Sequence, residues 1–328
     1  MSYKKKLSRI KLKIRSSKFI LGDSVTELDK IESNSIDLVF CDPPYNLQLS
    51  KKLYRPDTSY VSGVKENWDK FSSFDEYDIF TKSWLKNVKR VLKNDGSIWV
   101  IGSYHNIYRI GYLMQNMGFW FLNDIIWTKI NPMPNFKGTR FTNAHETLIW
   151  AAKSKESKYT FNYRTMKNLN NNKQMRSDWN IKICSGKERI KDNKNKKLHS
   201  TQKPEELLER IVLSSTKLGD MVLDPFFGTG TTGVVCKKLG RRFIGIEKDS
   251  NYLKHAKARI LNIKENSLLR DTYMEEKRDQ TRIPFSSLIK KGLIKPGKIL
   301  YNRNKAIRAK VMTDGSLKFN KDIGSIHK

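Results

Sequence analysis

Four consecutive residues, Asp42-Pro43-Pro44-Tyr45, have the types and order to do chemistry on a flat nitrogenous ring. They follow Ser35-Ile36-Asp37-Leu38-Val39-Phe40-Cys41, a run that reads as a buried strand stopping at a rigid turn. Two prolines fix φ and remove two backbone donors, so nearby carbonyls are left to accept hydrogen bonds from something else. A carboxylate and an aromatic ring bracket the turn. Asp42 and the Pro43 carbonyl suit the two hydrogens of an exocyclic amino group, and Tyr45 suits stacking on the ring that carries it. Alone, such a tetrapeptide is more often a turn at a strand end than a site.

A second constellation changes that balance. Asp224-Pro225-Phe226-Phe227-Gly228-Thr229-Gly230-Thr231-Thr232 follows the strand-like Met221-Val222-Leu223 and leads into a helix ending at Leu239. A glycine turn between strand and helix lets backbone amides approach a ligand at the helix N-terminus. Glu247 ends the next strand, Phe243–Glu247, where an acid commonly binds ribose hydroxyls. The third glycine of the dinucleotide fingerprint is missing, and no Lys follows as in a P-loop. That lowers the odds of NAD or ATP.

The elements around these turns alternate. Phe19–Leu21, the Asp42 strand, Ser97–Ile101, Phe119–Trp127 and Thr147–Ala152 read as strands. Val25–Ile31, Phe74–Leu92 (Ser73 as cap, Gly96 just past its end) and His105–Met117 read as helices. So do Glu205–Leu218, with Pro204 as first residue, and Asn251–Ile263. The pattern predicts an α/β fold, a mostly parallel sheet with helices on both faces. Residues 46–70 read as a mobile loop over a site. Residues 153–200 read as an insertion whose basic residues and aromatics (Tyr159, Phe161, Tyr163, Trp179) suit nucleic acid, a solvated insertion being the equal alternative. The expected organisation is a basic arm at 1–18, a main domain at 19–264, a linker at 265–282 and a small basic C-terminal module at 283–328. Apolar positions from Ile283 to Phe319 would give that module a mini-core.

Lys and Arg total 64 against 33 Asp and Glu, a formal charge of +31, which points to a polyanionic partner. Candidate DNA contacts are Arg176, Lys187 and Arg189 in the insertion, and Lys290, Lys291, Arg303, Lys305 and Arg308 in the C-terminal module, with phosphate the better prior. Three scattered cysteines argue for a reducing cytosol and against a zinc site or disulfide framework. Cys41 is expected to pack in its strand. No metal site, membrane span or secretory signal is expected. Trp68 and Trp127 read as core, and Asn131 and Asn135 as turn residues.

These motifs resemble those of the amino-directed DNA methyltransferases that use S-adenosylmethionine. Asp224–Gly230 looks like their cofactor loop and Asp42–Tyr45 like their catalytic motif. The catalytic motif comes first in the chain, with an insertion between the two, as in the β group of adenine-N6 enzymes. His199-Ser200-Thr201-Gln202-Lys203-Pro204 and Gly22-Asp23 are similar to further segments of that group. The resemblance covers residues 18–263 and implies a Rossmann-like fold. It implies cofactor contacts from Asp23, Asp224, Pro225, Phe226, Gly228, Gly230 and Glu247; the cofactor carboxylate needs donors, for which Lys203, Thr201 and Thr229 or Thr231 are the candidates and His199 a weaker one. Asn46-Leu47-Gln48-Leu49, the 131–136 segment and the basic C-terminal module extend it to the cell-cycle-regulated adenine methyltransferases of alphaproteobacteria. That implies methylation of adenine in GANTC within double-stranded DNA, by a homodimer that opens the duplex, in the bacterial cytoplasm at the nucleoid. The alternatives are methylation of another amino group, such as cytosine N4, and a non-catalytic DNA-binding protein on the same fold.

Overall fold

The computed structural model of the chain describes residues 17–47, 53–54, 60–61, 69–135, 138–192, 195–199, 201–263, 285–301 and 307–324. Most of the basic arm, most of the 46–70 loop, the 265–282 linker, Trp68, Arg303 and Lys305 lie outside the described residues. The chain divides into two compact units, Met1–Glu275 and Glu276–Lys328.

The first unit is built on an eight-stranded sheet. Its spatial order is β1 (Lys18–Leu21), β10 (Arg242–Glu247), β9 (Met221–Asp224), β2 (Ile36–Cys41), β5 (Leu92–Gly102), β7 (His145–Ala152), β6 (Trp120–Lys129) and β8 (Asp178–Ile181). Neighbours run parallel except β7, which is antiparallel to both β5 and β6. Two short strands, β3 (Leu53–Tyr54) and β4 (Tyr60–Val61), pair separately.

Alternation along the central strands feeds two cores. Leu38, Phe40, Trp99 and Ile101 pack with α4 (Tyr163–Leu169), α5 (Glu205–Ser215), α6 (Thr231–Leu239) and α7 (Ser250–Leu261). Ile36, Val39, Cys41, Ile98 and Val100 pack with α1 (Ser24–Asp29), α2 (Phe74–Val91) and α3 (Ile107–Asn116). Each fully buried aliphatic side chain there contributes about 1.5–3 kcal/mol. Caps set the helix starts. Asp23 accepts the Val25 amide, Ser73 the Glu76 amide, and Asp249 the amides of Asn251 and Tyr252.

Several expectations are corrected. The chain passes directly from α2 into β5, so Gly96 lies inside a strand rather than beyond a helix. Lys93-Asn94-Asp95-Gly96 bulge between the pairs Ile36–Leu92 and Leu38–Ser97. Pro204 is the N-cap, with φ −69° and ψ 144°, one position before the helix. The 153–200 stretch is not a separate insertion in its aromatic part, because β8 joins the main sheet beside β6. Trp179 is buried against Trp99, with ring centroids 5.8 Å apart, and Tyr159 and Phe161 pack on Trp150. Burial in the core removes Trp179 from contact with nucleic acid, Tyr159 and Phe161 are half-buried, and Tyr163 stays exposed.

The second unit has one short helix, α8 (Phe285–Lys290), and a four-stranded antiparallel sheet. The sheet runs β11 (Ile299–Tyr301), β12 (Arg308–Val311), β13 (Leu317–Phe319), β14 (Asp322–Gly324). The expected mini-core is only partial. Val311 is buried, but Leu293, Ile299, Ile307 and Phe319 are exposed. Register and alternation place Ile299, Tyr301, Arg308, Lys310, Lys318 and Ile323 on one exposed face.

Candidate active site

The two turns meet because their strands are neighbours. Leu38 pairs with Val222 and Val39 with Leu223, so β2 and β9 deliver Asp42 and Asp224 side by side at the carboxyl edge of the sheet. Strand β10 adds Glu247 next to them. Open α/β sheets bind ligands at this edge. A cavity of about 680 Å³ opens there, within the usual size of a small-molecule site. Its walls include Asp23, Asp42–Tyr45, Thr201, Lys203, Asp224–Gly228, Thr231 and Glu247.

The Asp42–Tyr45 turn is braced from outside. Tyr77 donates its hydroxyl to the Pro44 carbonyl at 2.8 Å. Pro44 is therefore occupied, whereas the Pro43 carbonyl meets no donor among the described residues. Asp69 accepts the backbone amides of Tyr45 (2.6 Å), Asn46 (2.8 Å) and Leu47 (3.0 Å). Three converging donors pin the chain just after the turn, where Asn46 adopts φ 53°.

Beside Asp42 and Tyr45 lie three further charges, of which only Lys203 falls in a segment the sequence marks. Lys203 Nζ is 3.0 Å from Asp42 Oδ2 and 3.7 Å from Glu146 Oε2. Tyr45 donates its hydroxyl to Glu146 Oε2 at 2.8 Å, and Lys129 Nζ holds Glu146 Oε1 at 3.0 Å. Lys203 Nζ also lies 5.1 Å from the Tyr45 ring centroid. Burial pushes the Asp42 carboxyl above its ordinary range, against the pull of Lys203. Burial also opposes the Glu146 charge, but Lys203 and Lys129 outweigh it and hold Glu146 below the usual range. Lys203 stays above the usual amine value, since Asp42 and Glu146 outweigh its desolvation. Lys203, expected as a donor to a cofactor carboxylate, lines the cavity with its ammonium paired to Asp42.

The glycine loop combines ligand-facing and packing residues. Asp224 accepts the Phe226 amide at 3.0 Å and the Thr232 hydroxyl at 2.6 Å, and burial raises its carboxyl to about 7. Glu247 accepts the amides of Gly228 (2.6 Å) and Asp249 (2.9 Å), tying the loop to the end of β10. Gly228, at φ 51°, faces the cavity, and a Cβ there would lie 3.6 Å from the His199 ring. Gly230 is different. It is the left-handed N-cap of α6 and does not line the cavity. A Cβ on it would lie 2.8 Å from Ala256 Cβ. Gly233 and Gly245 likewise make room for the buried Phe227 ring. Gly230, expected to contact a cofactor, is closely packed against Ala256 and Ile260 of α7. Asp23 lines the cavity while capping α1, and Thr201 sits beside His199. Thr231 lines it too, its hydroxyl donating to the Lys203 carbonyl at 3.3 Å.

The candidate DNA contacts are spread out. Arg176 is exposed and makes a two-pronged pair with Asp178 at 2.7 and 2.8 Å. Lys187 and Arg189 line a shallow basic concavity with Lys191 and Lys197. Lys290, Lys291 and Arg308 are exposed on the second unit. Trp127 is core, its indole donating to the Ile181 carbonyl, and Asn131 accepts the Ile183 amide as a turn residue. Cys41 is fully buried in its strand. Among the described residues no group of three or more His, Cys, Asp or Glu could hold a metal, and no helix is long and apolar enough to cross a membrane.

The site has relatives. The model of a DNA methylase family, of N6/N4 type, matches residues 36–258. The type II methyltransferase M.HinfI of Haemophilus influenzae is 52% identical over 307 residues, covering 94% of this chain and 85% of its own length. The type II methyltransferase M2.DpnII of Streptococcus pneumoniae is 46% identical over 240 residues, covering 73% of this chain and 87% of its own. The crystal structure of an M1.HpyAVI–S-adenosylmethionine complex superposes with a TM-score of 0.55 at 28% identity, over 75% of this chain and 99% of that one.

Proposed function

The chain belongs to the DNA methylase family, and on that premise we propose that it methylates N6 of adenine in double-stranded DNA. It is a DNA methyltransferase with the mixed, mostly parallel sheet of its solved relatives, and S-adenosylmethionine is its cofactor. The residues present fit that cofactor. Glu247 and Asp23 offer carboxylates for hydroxyl and amino groups, and Gly228 presents a side free of a Cβ on the cavity wall. Pro225 and Phe226 supply an apolar surface there, and Thr201 and Thr231 supply hydroxyls. When bound, S-adenosylmethionine supplies an electrophilic methyl group on a sulfonium.

The chain's own residues do the rest. Adenine N6 is a poor nucleophile because its lone pair is delocalised into the ring. Asp42 and the Pro43 carbonyl accept the two amino hydrogens, which favours the tetrahedral nitrogen of the transition state. Tyr45 stacks on the base once it has left the duplex. The observation that carries this reading is the junction of β2 and β9. It sets a carboxylate, a carbonyl that meets no donor among the described residues and an aromatic ring beside the glycine loop in one cavity.

An acid at position 42, in a chain whose catalytic turn precedes its glycine loop, supports adenine over cytosine. The resemblance in the 46–49 and 131–136 segments supports GANTC as the target. Two type II methyltransferases among the relatives favour a type II enzyme over a solitary cell-cycle regulator. Action as a homodimer, with the C-terminal module gripping DNA, completes the reading. The exposed face carrying Tyr301, Arg308, Lys310 and Lys318 supports that grip.

The test is direct. Plasmid DNA is incubated with methyl-labelled cofactor and digested to nucleosides, and the modified positions are sequenced. Label in N6-methyladenine within GANTC is the expected result. Label in N4-methylcytosine overturns the choice of base, and N6-methyladenine in another context overturns the target alone.

A further inference from the structure

We propose that Glu146 and Lys203 are positioning residues for the methyl transfer, fixing the charge and orientation of Asp42 and Tyr45 without touching the substrate. This rests on the reading of Asp42 as the acceptor of the amino hydrogens.

Four charged side chains meet here from four segments. They are Asp42 after β2, Lys129 at the end of β6, Glu146 at the start of β7 and Lys203 just before α5. All are largely buried, Lys203 at 8% exposure and Asp42 at 18%. Two carboxylates and two ammonium groups sum to zero, which lets all four stay ionised away from water.

The division of partners gives each contact a job. Glu146 splits its oxygens, one accepting the Tyr45 hydroxyl and the other held by Lys129. Lys129 thus neutralises Glu146 and leaves Lys203 to Asp42, the nearer of its two carboxylates. Lys203 fixes one oxygen of Asp42 and, near the Tyr45 ring, links the two catalytic side chains. The Glu146 contact fixes the far end of the Tyr45 side chain. The charged groups that bear on Asp42 are therefore Lys203, Glu146 with its partner Lys129, and Asp224 at the end of β9. The neutral neighbours are the Tyr45 phenol and the buried Cys41 thiol.

This wiring gives opposite signs for two substitutions. Removing Lys203 takes away the cation that keeps Asp42 ionised, so Asp42 holds its proton to higher pH. Removing the Glu146 charge takes away a neighbouring anion and leaves Lys203 to Asp42 alone, so Asp42 loses its proton at lower pH. Side chains that served only stability would lower activity without moving the titration in either direction.

The experiment follows the carboxyl of Asp42 by carbon-13 NMR in cofactor-free enzyme labelled at Asp, with the resonance assigned by D42N. It compares wild type, K203M, K203R and E146Q. The acid limb of kcat is recorded for the same four proteins, and cofactor affinity by equilibrium dialysis. The expected result is an upward shift for K203M, near-wild-type titration for K203R and a downward shift for E146Q, in both NMR and kcat. Turnover of K203M should fall by up to about 100-fold, the loss seen when a group facing the transition state is itself removed, because Lys203 acts through Asp42. Cofactor affinity of K203R and E146Q should stay within about threefold, well under the tenfold step of 1.4 kcal/mol. If K203M does not fold, the contrast between E146Q and K203R carries the test. An unmoved Asp42 titration in E146Q overturns the proposal. So does loss of cofactor affinity in K203R or E146Q with that titration unmoved. Titrations that shift as expected in a chain that transfers no methyl to DNA would instead locate the failure in the functional reading.

Discussion

Asp69 accepts the backbone amide of Tyr45 at 2.6 Å, and the same carboxylate takes the next two amides of the chain. One side chain thereby sets the path of the main chain out of the Asp42–Tyr45 turn. Asp69 itself is 4% exposed. Asp69→Ala leaves three amides without their acceptor, the Asn46 amide buried and the other two partly so, at up to about 1–3 kcal/mol for a fully buried group. Urea unfolding should show a loss of several kcal/mol, with turnover reduced more than cofactor affinity. Asp69→Asn keeps one acceptor oxygen and should fall between. A D69A protein with wild-type stability would mean that the three hydrogen bonds are not needed.

Asp224 makes stability depend on pH. Its carboxyl is raised to about 7 in the folded state, against 3.8 ordinarily, chiefly by burial and with Asp42 and Glu247 adding to it. The folded state therefore holds this proton more tightly than the unfolded chain. The stabilisation is complete below pH 3.8 and is lost as pH rises through about 7. Asp224→Asn, which cannot ionise, should flatten the stability profile between those values and gain on wild type above pH 7 by a few kcal/mol. Unfolding free energies measured from pH 4 to 8 decide this. Parallel profiles for the two proteins would contradict it.

The two loop glycines should separate stability from ligand binding. Gly230 combines φ +78° with an obstructed Cβ position, so Gly230→Ala should lower stability by about 2–4 kcal/mol from strain and overpacking together. Gly228 has φ +51° but open space, with His199 at 3.6 Å. Gly228→Ala should cost less stability and more cofactor affinity. Thermal melts and equilibrium dialysis on the pair read both effects, and equal affinity losses would remove the distinction.

The second unit offers a test of its own. Lys310→Glu with Lys318→Glu reverses two charges that face each other across the C-terminal sheet. DNA affinity should fall, and the slope of log affinity against log salt should become shallower by about 0.9 for each phosphate no longer neutralised. Cofactor affinity should not change. An unaltered salt slope would place the DNA grip elsewhere.

The parallel part of the sheet is legible from the sequence because its strands are short apolar runs bounded by Pro and Gly, and both turns end such runs. Glu146 is invisible there for a topological reason. Strand β7 runs antiparallel to its neighbours, so its beginning, not its end, reaches the edge where Asp42 and Asp224 lie. Read as one more parallel strand, it would place Glu146 at the opposite edge. The polar start of this apolar strand, His145-Glu146, is the only hint. Asp69 is hidden in a polar stretch without periodicity, since its partners are backbone amides and leave no mark in composition. Trp179 looks available for nucleic acid because the residues around it are polar, and only the pairing of β8 with β6 buries it. The segment around Lys203 points to the site, but packing alone decides that its partner is Asp42.

The central claim is that Asp42 accepts the amino hydrogens of adenine. It is tested most directly by the single-turnover rate of methyl transfer to a duplex with one target, for wild type and Asp42→Ala, with DNA retention measured alongside. The account predicts a fall of about a thousandfold, in line with removal of a preorganised acceptor, and DNA affinity within about threefold. A rate within about tenfold of wild type, which is only about 1.4 kcal/mol of the barrier, would contradict it.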